Sequence, residues 1–459
     1  MNNKKLVISL MLFFLFTKIT AAQGVNKSIE NVKQRLPVDS LIRFQHLWTS
    51  PYQVDPEYPH HLVNVEGKNL FIMNKTAWAF FAMKDPEAFL ETAKSQGITV
   101  IRVALEGTPY FSELGYDMWP WGGTRLNPDF KTLNENYWSK VEQRVRLAGE
   151  MGIGIDLVLY FTLHKTTLSV EEQKPYWHYI LQRLGRFSNI LTWEIMNEYS
   201  GQEAFQNAAG NFFHKNDPYR RPVCSSDGTT DNALWPGKTW MDLAVVHTCT
   251  GSTEKHHLLW WYLSVARNTR QYAKPAFNNE SGREVRHKND DAVHRRKQGW
   301  LWNAAGCFWT WHSFEGCEGI DDNSYRGPGQ EYLKNMSVFF QSIPFWKMVP
   351  NYTLCQIKNP DLIATTLAQP DGSITVTYCC SPKTGTEVNN KKASLRLPDG
   401  LYIVSFISPV SLEKIQESTL ESKSLGNVSE IELPGFVDDI IIKIEKIRTG
   451  KKTIIKGTE

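Results

Sequence analysis

LTWEIMNEYSG, residues 191–201, begins as a buried strand and turns polar within one step. Leu191, Trp193, Ile195 and Met196 are apolar, and Asn197 and Glu198 follow at once. A strand that merely stops tends to do so in a Gly or Pro turn. This one stops in an amide beside a carboxylate, which is either a cap or a reaction centre.

The neighbouring sequence repeats the pattern. Short β-rich runs occur at 69–78, 98–107, 153–161, 191–198, 221–228, 242–248, 274–281 and 304–313, which makes eight. Helix-like stretches lie between them. DPEAFLETAKSQG (85–97) has acidic residues near its start and a Gly stop; NENYWSKVEQRVRLAGEMG (134–152) and VEEQKPYWHYILQRLGRF (170–187) keep apolar residues at helical spacing. Nearly continuous apolar strands alternating with helices predict parallel strands buried on both faces. The closed solution is a (β/α)8 TIM barrel, which needs about 250 residues. Residues 61–347 are assigned to it. A doubly wound open sheet would carry a Gly-rich loop after its first strand, where this chain reads TAWAFF.

Past residue 348 the period changes to two, with PDG turns at 370–372 and 398–400. That predicts a C-terminal antiparallel β-sandwich over 348–447 and a basic tail at 448–459. At the other end, Lys4 and Lys5 precede the apolar run LVISLMLFFLF (6–16) and the small residues Ala21 and Ala22. The expectation is a signal peptide over 1–22, hence export to the periplasm or beyond, followed by an N-terminal arm over 23–60. No later apolar run is long enough to span a bilayer, so no membrane insertion is expected. A net charge of +3 over 459 residues gives no footprint for nucleic acid. The seven Cys form no CxxC pair. Buried free thiols are expected, with Cys307–Cys317 the one candidate bridge.

In such a barrel, chemistry sits at the C-terminal ends of the strands. The polar residues there are Asn74, Trp78, Glu106, Tyr160, His164, Asn197, Glu198, Asp227, His247, Glu280, Trp311 and His312. Each alone has a structural explanation; their shared end is what singles them out. Glu198 closes the fourth strand and Glu280 the seventh, so both reach the mouth from different sides. Two carboxylates about 5–5.5 Å apart are what retaining glycoside hydrolysis requires. Glu194, on the same face as Glu198 but one layer deeper, is expected to pair with Arg102. Glu284 and the acidic group Glu315, Glu318, Asp321 and Asp322 read as solvated loops.

WEIMNE, followed by a later strand ending in Glu, resembles glycoside hydrolase clan A. The resemblance implies Glu198 as general acid/base, Glu280 as nucleophile and Asn197 as a partner of the sugar 2-hydroxyl. It also implies sugar contacts from His247 and a Trp311 floor. GKNLFIMNKTAWAFF, NPDFKTLNENYWSKVEQRVRLAGEMGIGIDLVL and KPAFNNESGRE are similar to the apiosidase-like branch of bacterial polysaccharide-degrading proteins. One departure is Lys75, where that branch usually carries an acid. Asn74, Trp78 and Tyr160 complete the expected inner contacts, with Trp119 and Trp121 the outer ones. The expected substrate is a carbohydrate, with no cofactor and no metal. The rival readings are a glycan-binding protein without activity and a metal-dependent hydrolase on the same barrel.

Overall fold

The computed structural model describes residues 47–106, 119–124, 127–161, 169–248, 255, 258–282, 291–312, 328–423 and 428–447. These all fall in one compact unit, Arg35–Glu459. The predicted signal peptide, the basic tail, His164, Glu284, Cys249, Cys317 and the acidic group 315–322 lie outside the described residues.

All eight predicted strands form one parallel sheet: β1 Met73–Thr76, β2 Val100–Ala104, β3 Gly154–Tyr160, β4 Ile190–Met196, β5 Val223–Cys224, β6 Ala244–His247, β7 Ala276–Glu280 and β8 Phe308–Trp311. The order β6-β7-β8-β1-β2-β3-β4-β5 curls the sheet almost shut. The seam between β5 and β6 is bridged by chain rather than ladder: Thr230 N donates to His247 O at 3.3 Å and Asp242 N to Val223 O at 2.8 Å. Outside lie α1 Pro86–Ser95, α2 Glu135–Glu150, α3 Val170–Leu184, α4 Glu203–Asn216, α5 Leu259–Arg270, α6 Ala292–Ala304 and α7 Glu331–Gln341. Local chemistry sets their ends. Asp85 caps α1 by accepting from Ala88 N, with Pro86 in the first turn. Asn134 caps α2 through Tyr137 N.

Part of the predicted arm lies within the described residues. Tyr52–Val54 and Leu62–Asn64 pair antiparallel. Just before them, Trp48 donates its indole N–H to Gly152 O at 3.0 Å. Its ring lies where a Cβ on Gly154 would be, so glycine at 154 admits the Trp48 ring against the N-terminal end of β3.

The C-terminal β region matches the predicted sandwich. A six-stranded antiparallel sheet runs Val349–Pro350, Ile363–Ala368, Ile374–Cys380, Asp439–Lys446, Gly400–Ile407, Lys414–Ser422, and a three-stranded sheet accompanies it. One sheet face joins the barrel core. Trp300 of α6 stacks on Tyr378 at 5.6 Å and 12°. Two buried ion pairs cross the same junction, Arg296–Asp439 at 2.6 Å and Lys297–Asp438 at 2.9 Å. Cys224, Cys307, Cys355, Cys379 and Cys380 are buried free thiols.

Candidate active site

β4 breaks for geometric reasons. Asn197 N still bonds back to Tyr160 O at 3.2 Å, but Glu198 sits at φ 48°. A non-glycine residue in the left-handed region is strained, and such strain collects at functional positions. The helix that follows is capped elsewhere: Gln202 is its N-cap, without a side-chain cap bond. The Asn-Glu pair is therefore not a cap. The Ser226 hydroxyl accepts from Glu198 N at 3.1 Å and so helps hold the turn.

Arg102, at the centre of β2, organises everything below the mouth. It is fully buried. Its guanidinium grips Glu194 with two bonds, Nε to Oε2 at 2.8 Å and Nη2 to Oε1 at 2.5 Å. Nη1 donates to Glu280 Oε2 at 2.9 Å and Nη2 to Asn197 Oδ1 at 2.8 Å. Trp78 lies across the guanidinium at 4.5 Å, a cation–π contact that also covers it from solvent. Glu194 is secured further by Ser226 Oγ at 2.6 Å and Asn279 Nδ2 at 3.0 Å. The expected Glu194–Arg102 pair is present, and Arg102 links it to Glu280 and Asn197 at the mouth. Burial opposes the charge on Arg102, but Glu194, then Glu280 and Asp156, drive its pKa up.

The two carboxylates have unequal surroundings. Glu280 is nearly closed off, with 6% of its side chain exposed, between Arg102 and His312, whose Nδ1 lies 3.5 Å from Oε1. Glu198 is 39% exposed and meets buried His247, Nδ1 to Oε1 at 3.1 Å. One donor atom each from Glu198, His247 and Glu280 lies within 4.8 Å of the others. That is also the size of a divalent-cation site, but Arg102 already supplies the positive charge beside Glu280 and repels a second.

His247 and Asp156 give this site its pH dependence. Burial alone would lower the His247 pKa; the hydrogen bond to Glu198 and the Glu280 charge outweigh it and raise it. A raised imidazole value stabilises the fold fully below the unfolded value of about 6.5, and the contribution fades as pH rises through the folded one. The stability gap between the parent and His247→Gln is expected to be wide at pH 5.5 and to close by pH 9 in urea unfolding. Asp156, buried beneath Arg102 with its guanidinium 3.9 Å away, shifts in the same direction and with the same sign of pH dependence, over a lower window. Burial, then Glu194, raises its pKa to about 7. Native protein then holds a proton that the unfolded chain releases near pH 4, so stability falls between those values. Asp156→Asn is expected to match the parent at pH 4 and exceed it at pH 8.

Several expected contacts lie elsewhere. Trp311 faces outward: it pairs in register with Lys75, and Arg295 of α6 lies 5.9 Å from its ring. Alternation along β8 turns His312 inward instead. Lys75 is likewise outward, bonded to Gln96 and Gln330 at 3.1 Å each, so the departure at that position does not touch the mouth. Tyr160 swings into the helix layer, where its hydroxyl donates to Gln173 Oε1 at 2.9 Å and accepts from Trp177 Nε1 at 2.8 Å. Trp119 and Trp121 are buried over α2 and α3, Trp121 being 4.6 Å from Tyr176. They are packing residues in this conformation, not sugar platforms. Asn74 sits deep in the barrel beside Asp156. Glu106 accepts from the Phe161 amide, and Asp227 from Gly228 N. Ser226 and Asn279 were not legible as site residues. The run FNNE, an amide directly before the strand-seven acid, was the available signal for the second.

A nearly closed parallel barrel with acids at its C-terminal mouth is the architecture of a (β/α)8 glycoside hydrolase. The chain belongs to the apiosidase-like family: the model of that family's catalytic domain matches residues 57–313. The fold is shared with a glycoside hydrolase at 16% identity and TM-score 0.68, covering 87% of this chain and 98% of the other. A glycoside hydrolase family 5 structure from Bacteroides vulgatus ATCC 8482 gives 16% identity and TM-score 0.68, covering 86% and 93%. The chain has no match among curated proteins.

Proposed function

We propose that the chain is an exported retaining glycosidase that cleaves a glycan by double displacement. The observation that carries the reading is the meeting of Glu198 and Glu280 within 4.8 Å, each with a different partner. Retaining enzymes place the pair about 5–5.5 Å apart, whereas inverting ones leave about 6.5–9.5 Å for a water. Arg102 at 2.9 Å favours the anionic form of Glu280, which suits a nucleophile. The more open Glu198, oriented by His247, suits proton exchange with departing groups and water.

In the first step a Glu280 oxygen attacks the anomeric carbon, while Glu198 gives its proton to the leaving glycosidic oxygen. The product is a glycosyl ester on Glu280. In the second step Glu198 takes a proton from water, the hydroxide adds to the anomeric carbon, and Glu280 departs as carboxylate. Two inversions restore the starting configuration. Asn197, held by Arg102, is the candidate partner of the 2-hydroxyl. The substrate class is a plant or microbial polysaccharide or a fragment of one.

The test is a 2-deoxy-2-fluoro glycoside, which slows the second step. Mass spectrometry should find the sugar on the peptide containing Glu280, and NMR of early product should show the substrate's anomer. Early product of opposite configuration would overturn the mechanism. Export rests on the basic start and the apolar run at 6–16; a mature protein that still begins at Met1 would refute it.

A further inference from the structure

Far from the mouth lies a mostly buried cation. Arg270 ends α5 and is only 8% exposed. Its Nε has no hydrogen-bond partner, and no carboxylate of the described residues pairs with it. The groups whose charge favours its ionised form are the Cys307 thiol and the Tyr352 hydroxyl, both weak acids, and burial lowers its pKa to about 10. Its field reaches two neighbours: burial and then Arg270 push His60 down to about 4 and His61 to about 3, so both imidazoles are neutral. The α5 carbonyl end supplies only about half a negative charge. A largely buried guanidinium without a carboxylate partner is costly, and a bound anion would offset that cost.

A cavity is present where that ligand would sit. Arg270, Arg267, His60, Gln271 and Tyr352 line a space of about 350 Å³ between α5 and the first strand of the sandwich. Arg267, exposed, has its guanidinium 4.4 Å from the Tyr352 ring. A second space of about 320 Å³ shares Arg267 and Tyr352 and continues past Gln356 and Asn359 to Trp260. Tyr352 is 41% exposed and Trp260 48%. The two spaces adjoin at Arg267 and Tyr352, with Arg270 at one end, Trp260 at the other, and Lys358 beside the amides Gln356 and Asn359 along the second. Guanidiniums bind carboxylates and sulfates by paired N–H donors, while aromatic faces take the flat apolar side of a pyranose. Because helices run antiparallel to the barrel strands, the Arg270 end lies at the barrel's N-terminal end, opposite Glu198 and Glu280.

We propose that this groove is a second glycan site, which binds a chain carrying oxyanionic groups: uronic-acid carboxylates or sulfate esters. The anion sits on Arg270 and Arg267, and neighbouring sugars lie along Tyr352 toward Trp260. That the occupant is a sugar rests on the glycosidase reading; the cationic pocket does not.

The test uses the full chain in a Glu280→Gln background, so that turnover does not confuse binding, with calorimetry and thermal melts. The probes are a hexuronate tetrasaccharide, a sulfated oligosaccharide, a neutral oligosaccharide of equal length and inorganic sulfate. One or both acidic sugars should bind and raise Tm, and the neutral one should not. Arg270→Met should weaken binding about 10- to 100-fold, the scale of a lost charge-assisted hydrogen bond. Arg267→Gln should weaken it as well. In the Glu280 parent, both variants should hydrolyse a neutral aryl glycoside at the parental rate, which separates this site from the catalytic one. Without ligand, Arg270→Met should melt higher than its parent, because an unpaired charge has been removed. Sulfate binding as tightly as the acidic sugars would reduce the site to an ion pocket and overturn the glycan claim. Absence of binding by any probe, unchanged affinity in Arg270→Met, or a lower melting point for that variant would each overturn the proposal.

Discussion

The Glu280→Gln protein is expected to lose about 10⁶-fold in kcat, the scale seen when a catalytic nucleophile is removed. An amide oxygen cannot form the glycosyl ester, and no neighbouring carboxylate replaces it: Glu194 is held on both oxygens, by Arg102, Ser226 and Asn279. Glu198→Gln is expected to behave differently. Its loss should be about 10²–10⁴-fold on a substrate with a poor leaving group, the range for general acid catalysis. It should be small for the first step on an aryl glycoside whose phenolate leaves unaided. The comparison of the two variants on both substrates, read by burst kinetics, separates the roles. If Glu280→Gln kept its kcat, or if the leaving group made no difference to Glu198→Gln, the assignment would fail.

The second large effect concerns Arg102. Its replacement by Gln leaves Glu194 and Glu280 without their cation inside a buried web. Breaking a buried pair by removing one member costs about 3–5 kcal/mol, which is a large fraction of the roughly 5–15 kcal/mol that typical proteins have. Urea unfolding should show a loss of that order. Activity should fall as well, since Nη1 holds Glu280 and Nη2 holds Asn197. A double replacement, Arg102→Met with Glu194→Leu, should recover part of the stability and none of the activity, because one uncompensated charge is gone but Glu280 remains unsupported. Full activity in the single variant would show that the web serves packing alone.

The strands and the acids behind both expectations were legible in the sequence. Strand number and position were readable because the strand period and the Gly stops are local signals. The facing acids followed from one rule, that barrel chemistry lies at the strand ends. The aromatic residues were not readable in the same way. Trp311 and His312 are adjacent, and a shift of one residue exchanges the inward and the helix-facing side; the family resemblance favoured the indole. Tyr160 found both a donor and an acceptor among residues of α3, partners that no strand pattern records. Trp119 and Trp121 belong to a segment whose path depends on tertiary packing. Arg270 is a different case: its isolation is a property of what does not approach it, which a linear sequence cannot display.

The junction at α6 limits how the molecule can be dissected. Arg296 and Lys297 meet their carboxylates, Asp439 and Asp438, only through the last strand of the sandwich and the residue just before it. A chain cut after residue 347 would strand both cations and uncover the Trp300 ring, on the helix that leads through β8 into His312. Such a truncated enzyme would be expected to aggregate rather than to work as an independent catalytic module, so the C-terminal region is an integral wall of this hydrolase and not an appendage.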